Sequence, residues 1–305
     1  MKRNKNIYSN NRRRRKKKKI KLIPLTIIIL FFLSFPYAVY TQAKSFKLKN
    51  DWVNLNDSIN EKTTKNADLK SQNEKLLATL EDTKSEYEQA LENAKIAYLT
   101  FDDGPSDNTM TILNILDKYN VKATFFVIGH PGLEHLYKEI VDRGHVVANH
   151  TFGHDYDYVY SSVDNFKSDV NKLNEFIKNA TGTEPPKLLR YPGGSINTVS
   201  WDAGGKEIMP KIIKAMDEEG YSFFDWNVDS TDATGNGIPK SNIVNRILTD
   251  SKYVKKANIL MHDTNAKGTT VEALPEIIEG LKAQGFIFDV VSHDSFKPQH
   301  SKVLE

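Results

Sequence analysis

At 305 residues the chain has room for one large domain or two small ones, and its lack of cysteine excludes a disulfide framework, a thiolate metal site and lipid attachment through a Cys. The formal charge of +3 hides an asymmetry. Residues 1–21 carry twelve Lys/Arg and no acid, while the remainder holds 30 basic against 39 acidic residues, a net of −9, which excludes nucleic acid as the partner of the molecule as a whole.

The basic run from Arg12 to Lys19 abuts residues 22–40, nineteen residues without a charge. About twenty apolar residues span a bilayer, and a positive flank keeps its end of the chain in the cytoplasm. The sequence therefore predicts a basic cytoplasmic tail over 1–21, a transmembrane signal-anchor over 22–40, and a single-pass protein of the cell membrane whose C-terminal bulk is extracellular. A cleaved signal peptide is the competing reading, but the run is long for one and no clean small-x-small site follows it. Residues 41–95 are polar and contain no Gly or Pro. Leu77, Leu80, Tyr87 and Leu91 fall near heptad seam positions that Lys84 interrupts. They predict a helical stalk with a weak coiled-coil tendency, or a solvated spacer; either acts as a tether.

From Ile96 the texture changes, and 96–305 reads as one α/β domain. Short apolar runs at 96–101, 123–128, 145–149, 188–191, 221–228, 258–262 and 286–291 predict seven strands. Amphipathic stretches at 110–119, 133–143, 163–180, 208–219, 243–250 and 270–283 predict helices between them. That alternation implies a parallel sheet, as a barrel of about seven units or an open doubly wound sheet; the segment is short for eight units. Gly144, Gly220 and Gly285 each stand between a helix and a strand, where a left-handed helix stop belongs.

The chemistry-bearing residues gather at the ends of these strands. Asp102 and Asp103 end the first, His150 the third and Arg190 the fourth. Asp229 and Asp232 follow the fifth, and His262 and Asp263 end the sixth. In parallel α/β folds the strand C-termini share one face, so these positions converge. One Asp with His150 and His154, at i and i+4, is a three-ligand set that leaves a position open for water and suits Zn²⁺. The same set holds non-haem iron elsewhere, but nothing here indicates an organic co-substrate site. A second carboxylate beside the ligand is placed to take a proton from that water, so Asp102 and Asp103 divide the tasks of ligand and base. Alone, Asp-Asp-Gly is an ordinary turn and His-x-x-x-His a weak signal; it is their joint position at strand ends that points to a metal.

His262 reads as a capping residue or as a general acid. Asp232, Asp229 and Asp263 are the candidates to hold its imidazole. Arg190 is placed to pin a carboxylate such as Asp102, and the N–H groups after Pro192 to face a developing oxyanion. Ser195 does not sit in a nucleophile elbow. His130, His135, His145, His293 and His300 have no partner at ligand spacing and read as surface or packing residues. Asn149-His150-Thr151 matches a glycosylation sequon, but a ligand-bearing strand end accounts for it better.

The ordered set Thr100-Phe101-Asp102-Asp103-Gly104, His150–His154, Arg190–Gly194, Trp226–Asp232 and Leu260–His262 resembles the polysaccharide deacetylases of carbohydrate esterase family 4, over about residues 96–295. The resemblance implies a distorted (β/α) barrel, often of seven units. It implies Asp102 as catalytic base, Asp103, His150 and His154 as ligands of a metal, usually Zn²⁺ with Co²⁺ or another divalent cation as substitutes, and Arg190 as support for the base. It implies Gly193 N–H at the oxyanion, Leu260 against the acetyl methyl, and His262 as general acid with Asp232 behind it. Tyr191 and Trp226 fall on the substrate side. The implied reaction removes acetate from N-acetylglucosamine of peptidoglycan or another surface glycan. N-acetylmuramic acid, a chitin-type oligosaccharide or an O-acetyl ester as substrate, and a non-catalytic wall-binding role, are the alternatives. The sequence carries no signal for an oligomeric state. Two departures bear on substrate choice: Arg190-Tyr191-Pro192-Gly193-Gly194 stands where the family often has Arg-Pro-Pro-Tyr-Gly, and Ala233 where it often has Trp.

Overall fold

The computed structural model describes residues 23–304, apart from the side chains at 23–26, 28 and 31. The chain divides into two compact units, Met1–Ser85 and Glu86–Glu305. The expected basic tail lies outside the described residues, and the expected span at 22–40 lies partly so. Among the described residues no helix is long and apolar enough to cross a membrane. Helix α1 (Ile23–Asn93) supplies the described part of the first unit. Leu77, Leu80 and Tyr87 on it are exposed. Leu91, read from the sequence as a seam position, instead packs against the cluster of Ile96, Tyr98, Phe224 and Val291.

The second unit continues with β1 (Lys95–Asp102), α2 (Thr109–Tyr119), β2 (Thr124–Val127), α3 (Glu134–Asp142), β3 (Val146–Asn149), α4 (Tyr156–Val159) and α5 (Val163–Thr181). Then come β4 (Leu188–Leu189), α6 (Ser200–Gly204), α7 (Ile208–Glu218), β5 (Ser222–Phe223), β6 (Val228–Asp229), α8 (Lys240–Asp250), β7 (Lys256–His262), α9 (Gly268–Ala283) and β8 (Phe286–Phe288). All pairings are parallel, in the order β5-β4-β3-β2-β1-β7-β6, with β8 added beside the start of β1. This is a curled half-barrel of seven strands plus one. Its end strands β5 and β6, neighbours in the chain, do not pair with each other.

One expectation is corrected there. The run 221–228, read as a single strand, breaks into β5 and β6. The cause is Asp225, a buried carboxylate that accepts from Ser195 N at 2.8 Å and His300 N at 2.7 Å while its own N–H donates to Pro298 O. Satisfying that carboxylate takes the backbone out of the ladder, and residues 298–301 bond to Ser195 and to residues 223–226 there instead.

The alternation of β1 explains the two-sided core. Ala97, Leu99 and Phe101 face a large cluster with Ile112, Leu116, Leu274 and Ile277 of the covering helices, and Ile96 and Tyr98 face the barrel interior with Phe126 and Phe224. Helices α2 and α9 bury one stripe each, Ile112, Leu113 and Leu116 in one and Leu274, Ile277, Ile278 and Leu281 in the other, as apolar residues at i, i+3 and i+4 require.

Candidate active site

Register alone brings the chemistry together. Asp102 at the end of β1 stands level with His262 at the end of β7, and Asp229 of β6 with Leu260. On the other side Asn149 is level with Leu189, so His150 and Arg190 leave the sheet side by side. Both adjacent carboxylates reach one mouth because Asp103 takes a left-handed backbone, φ 70°, which undoes the strand's alternation. Thr151 (φ 67°) and His154 (φ 49°) are in the same region, so the loop between the two histidines is wound tightly back on itself. Asn149 Oδ1 accepts from Thr151 N at 2.8 Å, and the buried Asp169 of α5 accepts from Phe152 N at 2.5 Å and Gly153 N at 2.9 Å. These bonds hold a conformation that costs about 1–3 kcal/mol per residue in isolation.

Asp103 Oδ1 lies 3.5 Å from His150 Nε2 and 3.4 Å from His154 Nε2. It is buried and has no hydrogen-bond partner. Two ligands about 2.0–2.2 Å from a tetrahedral zinc stand roughly 3.3–3.5 Å from each other, so the donor set fits a divalent cation. His150 Nδ1 meets Arg190 O at 2.7 Å; only a protonated Nδ1 satisfies that carbonyl, which leaves Nε2 with a free lone pair. Burial, seconded by His154, lowers the His150 pKa to about 3 and keeps the ring neutral.

Asp102 Oδ2 is 3.8 Å from His150 Nε2, beside this group but outside it. Its Oδ1 accepts from Arg190 Nη1 at 2.8 Å. Arg190 is fully buried and all five of its N–H groups are used: Nη1 also reaches Thr100 Oγ1, Nη2 reaches Asp225 O and Asn258 Oδ1, and Nε reaches Phe224 O. Burial raises the Asp102 pKa, an effect that Arg190 and His262 only partly oppose. Across the mouth, His262 Nδ1 lies 2.7 Å from Asp232 Oδ1, and Asp232 Oδ2 accepts from His262 N and Thr270 Oγ1. Burial works against the imidazolium, but the Asp232 hydrogen bond and charge outweigh it and lift His262 to about 9. Asp229 and Asp263, the other candidates for that role, are engaged elsewhere. Asp229 accepts from Thr231 N, and Asp263 accepts from Ser106 and Thr109 hydroxyls.

A cavity of about 320 Å³ joins these groups, lined by Asp102, Asp103, His150, His154, Leu260 and His262, with Tyr191, Gly193, Trp226 and Ala233 on its walls. The residues to which the resemblance assigns a role all border this cavity except Arg190 and Asp232, which stand behind Asp102 and His262. Tyr191 contributes little surface: it is 1% exposed, and its ring packs against Phe166 and Phe223. Gly193 takes φ 75° in the turn closed by Gly194 N to Tyr191 O at 2.8 Å. A second cavity of about 340 Å³ opens on the far side of Asp103 and His154, lined also by Ser106, Ile128, His130 and Asn265. His130, read from sequence as a surface or packing residue, meets Asp103 O through Nε2 at 3.2 Å. Sequence reasoning missed Tyr156, which lines the first cavity, and Asp169, although a charge in the apolar stripe of α5 beside Phe166, Val170 and Leu173 was a signal for the latter.

Residues 89–206 match the family model for polysaccharide deacetylase. A peptidoglycan-N-acetylglucosamine deacetylase of Bacillus cereus is 32% identical over 212 residues, which cover 67% of this chain and 72% of that protein. A bifunctional xylanase/deacetylase of Pseudobutyrivibrio xylanivorans is 35% identical over 204 residues, 66% of this chain and 30% of that longer protein. Among solved structures, the catalytic domain of peptidoglycan N-acetylglucosamine deacetylase from Eubacterium rectale aligns with a TM-score of 0.65 at 38% identity, over 68% of this chain and 93% of that domain. With likeness of this extent in both sequence and fold, the chain belongs to the polysaccharide deacetylases of carbohydrate esterase family 4.

Proposed function

We propose that this deacetylase is metal-dependent and removes acetate from N-acetylglucosamine residues of peptidoglycan or a related surface glycan. The observation that carries the reading is Asp103 Oδ1, buried and unpartnered between two imidazole Nε2 atoms, with a spare carboxylate at its side. Asp103, His150 and His154 would hold the cation, with Zn²⁺ or Co²⁺ suited to the donor set. When bound, such a cation would supply Lewis acidity for acyl transfer to water. Asp102 accepts the proton of that water as its oxygen adds to the acetyl carbon, and Arg190 fixes the orientation of the carboxylate. Gly193 N–H faces the oxyanion as the tetrahedral carbon forms. His262, kept cationic by Asp232, gives its proton to the departing nitrogen as the C–N bond breaks. Acetate and a free amino sugar result. The second cavity beside Asp103 suits a substrate that extends beyond one sugar. We further infer that residues 22–40 anchor the chain in the cell membrane with the catalytic unit outside. Support for that comes from the charge-free run and its basic flank.

The test is acetate release by the full chain from N-acetylglucosamine oligomers and purified peptidoglycan. Activity is expected to vanish with a chelator and return with Zn²⁺ or Co²⁺. Asp102→Asn is expected to retain the metal and lose at least 100-fold in kcat, the scale of a general base. Full activity in the chelated protein, or in Asp102→Asn, overturns the scheme. Release of acetate only from N-acetylmuramic acid or from O-acetyl esters reassigns the substrate and leaves the chemistry standing.

A further inference from the structure

Gly193 has no side chain, yet the space a side chain would enter is not empty. A Cβ built there would lie 3.2 Å from Asn197 Cβ, 3.3 Å from the Tyr156 hydroxyl and 3.4 Å from Tyr156 Cε1. The phenol of a residue 37 positions earlier in the chain therefore fills the pocket wall beside the Gly193 backbone. It borders the same cavity as Asp102, Asp103 and His262.

Tyr156 is fixed in that place. It opens α4, whose cap Asp155 accepts from Asp157 N and Tyr158 N. Its ring lies edge-on to His154, centroids 5.3 Å apart at 78°, and tilts against Tyr160 at 5.9 Å. Tyr160 in turn donates its hydroxyl to Pro192 O at 2.7 Å, one residue before Gly193. The ring is thus held between the two turns that carry His154 and Gly193. Its hydroxyl has no hydrogen-bond partner among the described residues. A partly enclosed phenol oriented by its neighbours, aimed at a polar cavity and left unpaired, is a donor awaiting an acceptor.

We infer that Tyr156 is a substrate-binding residue whose hydroxyl donates to the N-acetyl sugar on the Gly193 side of the pocket, in space that a side chain at 193, disfavoured there by φ 75° and crowded by Asn197 and Tyr156, would enter. The inference rests on the deacetylase reading above. It assigns to α4 a wall that the loss of side chain at residue 193 would otherwise leave open, and so makes Tyr156 a determinant of which acylated sugar fits.

Tyr156→Phe in the full chain keeps the ring and removes only the donor. Its kcat/KM on N-acetylglucosamine oligomers is expected to fall about tenfold, the scale of one lost hydrogen bond, with melting temperature and Zn²⁺ affinity unchanged. A second readout uses the Asp102→Asn background, where the oligomer binds without turnover. Adding Tyr156→Phe is expected to weaken its calorimetric Kd by a similar factor. If Tyr156→Phe matches the parent within twofold in both measurements, the inference fails and the deacetylase reading stands. If activity falls together with Zn²⁺ affinity or melting temperature, Tyr156 only supports His154, and the inference fails again. A parent chain that neither binds oligomer nor releases acetate removes both.

Discussion

Asp102 and His262 occupy level positions on neighbouring strands, and their surroundings push both pKa values up for different reasons. Burial raises Asp102, which brings a carboxylate nearer the range where a base works at neutral pH. Asp232 raises His262 to about 9 against the pull of burial, which keeps an acid charged in the same range. In the proposed scheme one group acts deprotonated and the other protonated, so kcat/KM should rise as Asp102 loses its proton and fall as pH passes about 9. Asp232→Asn tests the assignment directly. Without that carboxylate burial is opposed only by the charges of Asp102 and Asp103, and the alkaline limb is expected to move down toward roughly 6.5, the ordinary histidine value. A pH–rate profile reads this, and an unmoved alkaline limb would show that His262 is not the titrating acid. The His262–Asp232 ion pair makes a stability contribution with a defined sign. Because the folded pKa of His262 is raised, its contribution is present in full below about 6.5 and is lost as pH rises through about 9.

The elements that hold these residues were legible from the sequence to the extent that their patterns were periodic. Apolar runs and amphipathic stretches placed β1, β2, β3, β7 and the helices α2, α3, α5, α7, α8 and α9 within a few residues of their observed bounds. Strand ends then located Asp102, His150, Arg190 and His262, because in a parallel sheet a position along the strand is also a position in space. Where a contact depended on loop conformation the pattern carried nothing. The choice of Asp232 over Asp229 and Asp263 is made by a 3-10 turn, Asp232–Thr234, entered through a left-handed Thr231. The break at Asp225 depends on residues 298–301, some seventy positions away. Tyr156 is set by the docking of α4 against α6, and that docking is itself testable. A Cβ on Gly204, at the end of α6, would lie 2.1 Å from the backbone oxygen of Tyr160. Backbone cannot swing aside as a side-chain tip does, so Gly204→Ala must part the two helices. It is expected to destabilise the fold by about 1–3 kcal/mol, as overpacking does, and to lower activity by displacing Tyr156 while Zn²⁺ affinity changes less. Thermal denaturation at unchanged melting temperature would show that α4 and α6 have slack between them.

At the scale of the molecule the division of labour follows composition. Every residue of the candidate site belongs to the unit Glu86–Glu305, which has its own two-sided core, whereas the described helix of the first unit is exposed along most of its length. A core of that kind is the requirement for independent folding, so residues 86–305 are expected to melt and to release acetate as the full chain does. The two should differ in where they are found. If the nineteen uncharged residues behind twelve cations anchor the chain as proposed, burial of apolar surface, which salt does not reverse, would hold it, with electrostatic attraction added, which salt screens beyond about 8 Å at physiological strength. After cell disruption the full chain is expected in the membrane fraction, to stay there through a high-salt wash and to leave with detergent; residues 86–305 are expected to remain soluble throughout. Release of the full chain by salt alone would mean that residues 1–21 hold it to lipid headgroups without a spanning segment, and recovery in the soluble fraction, shortened at its N-terminus, would mean that 22–40 is a leader removed on export. Retention against salt is the outcome that the proposed anchor requires, because only burial of apolar surface holds a chain to a bilayer once its charges are screened.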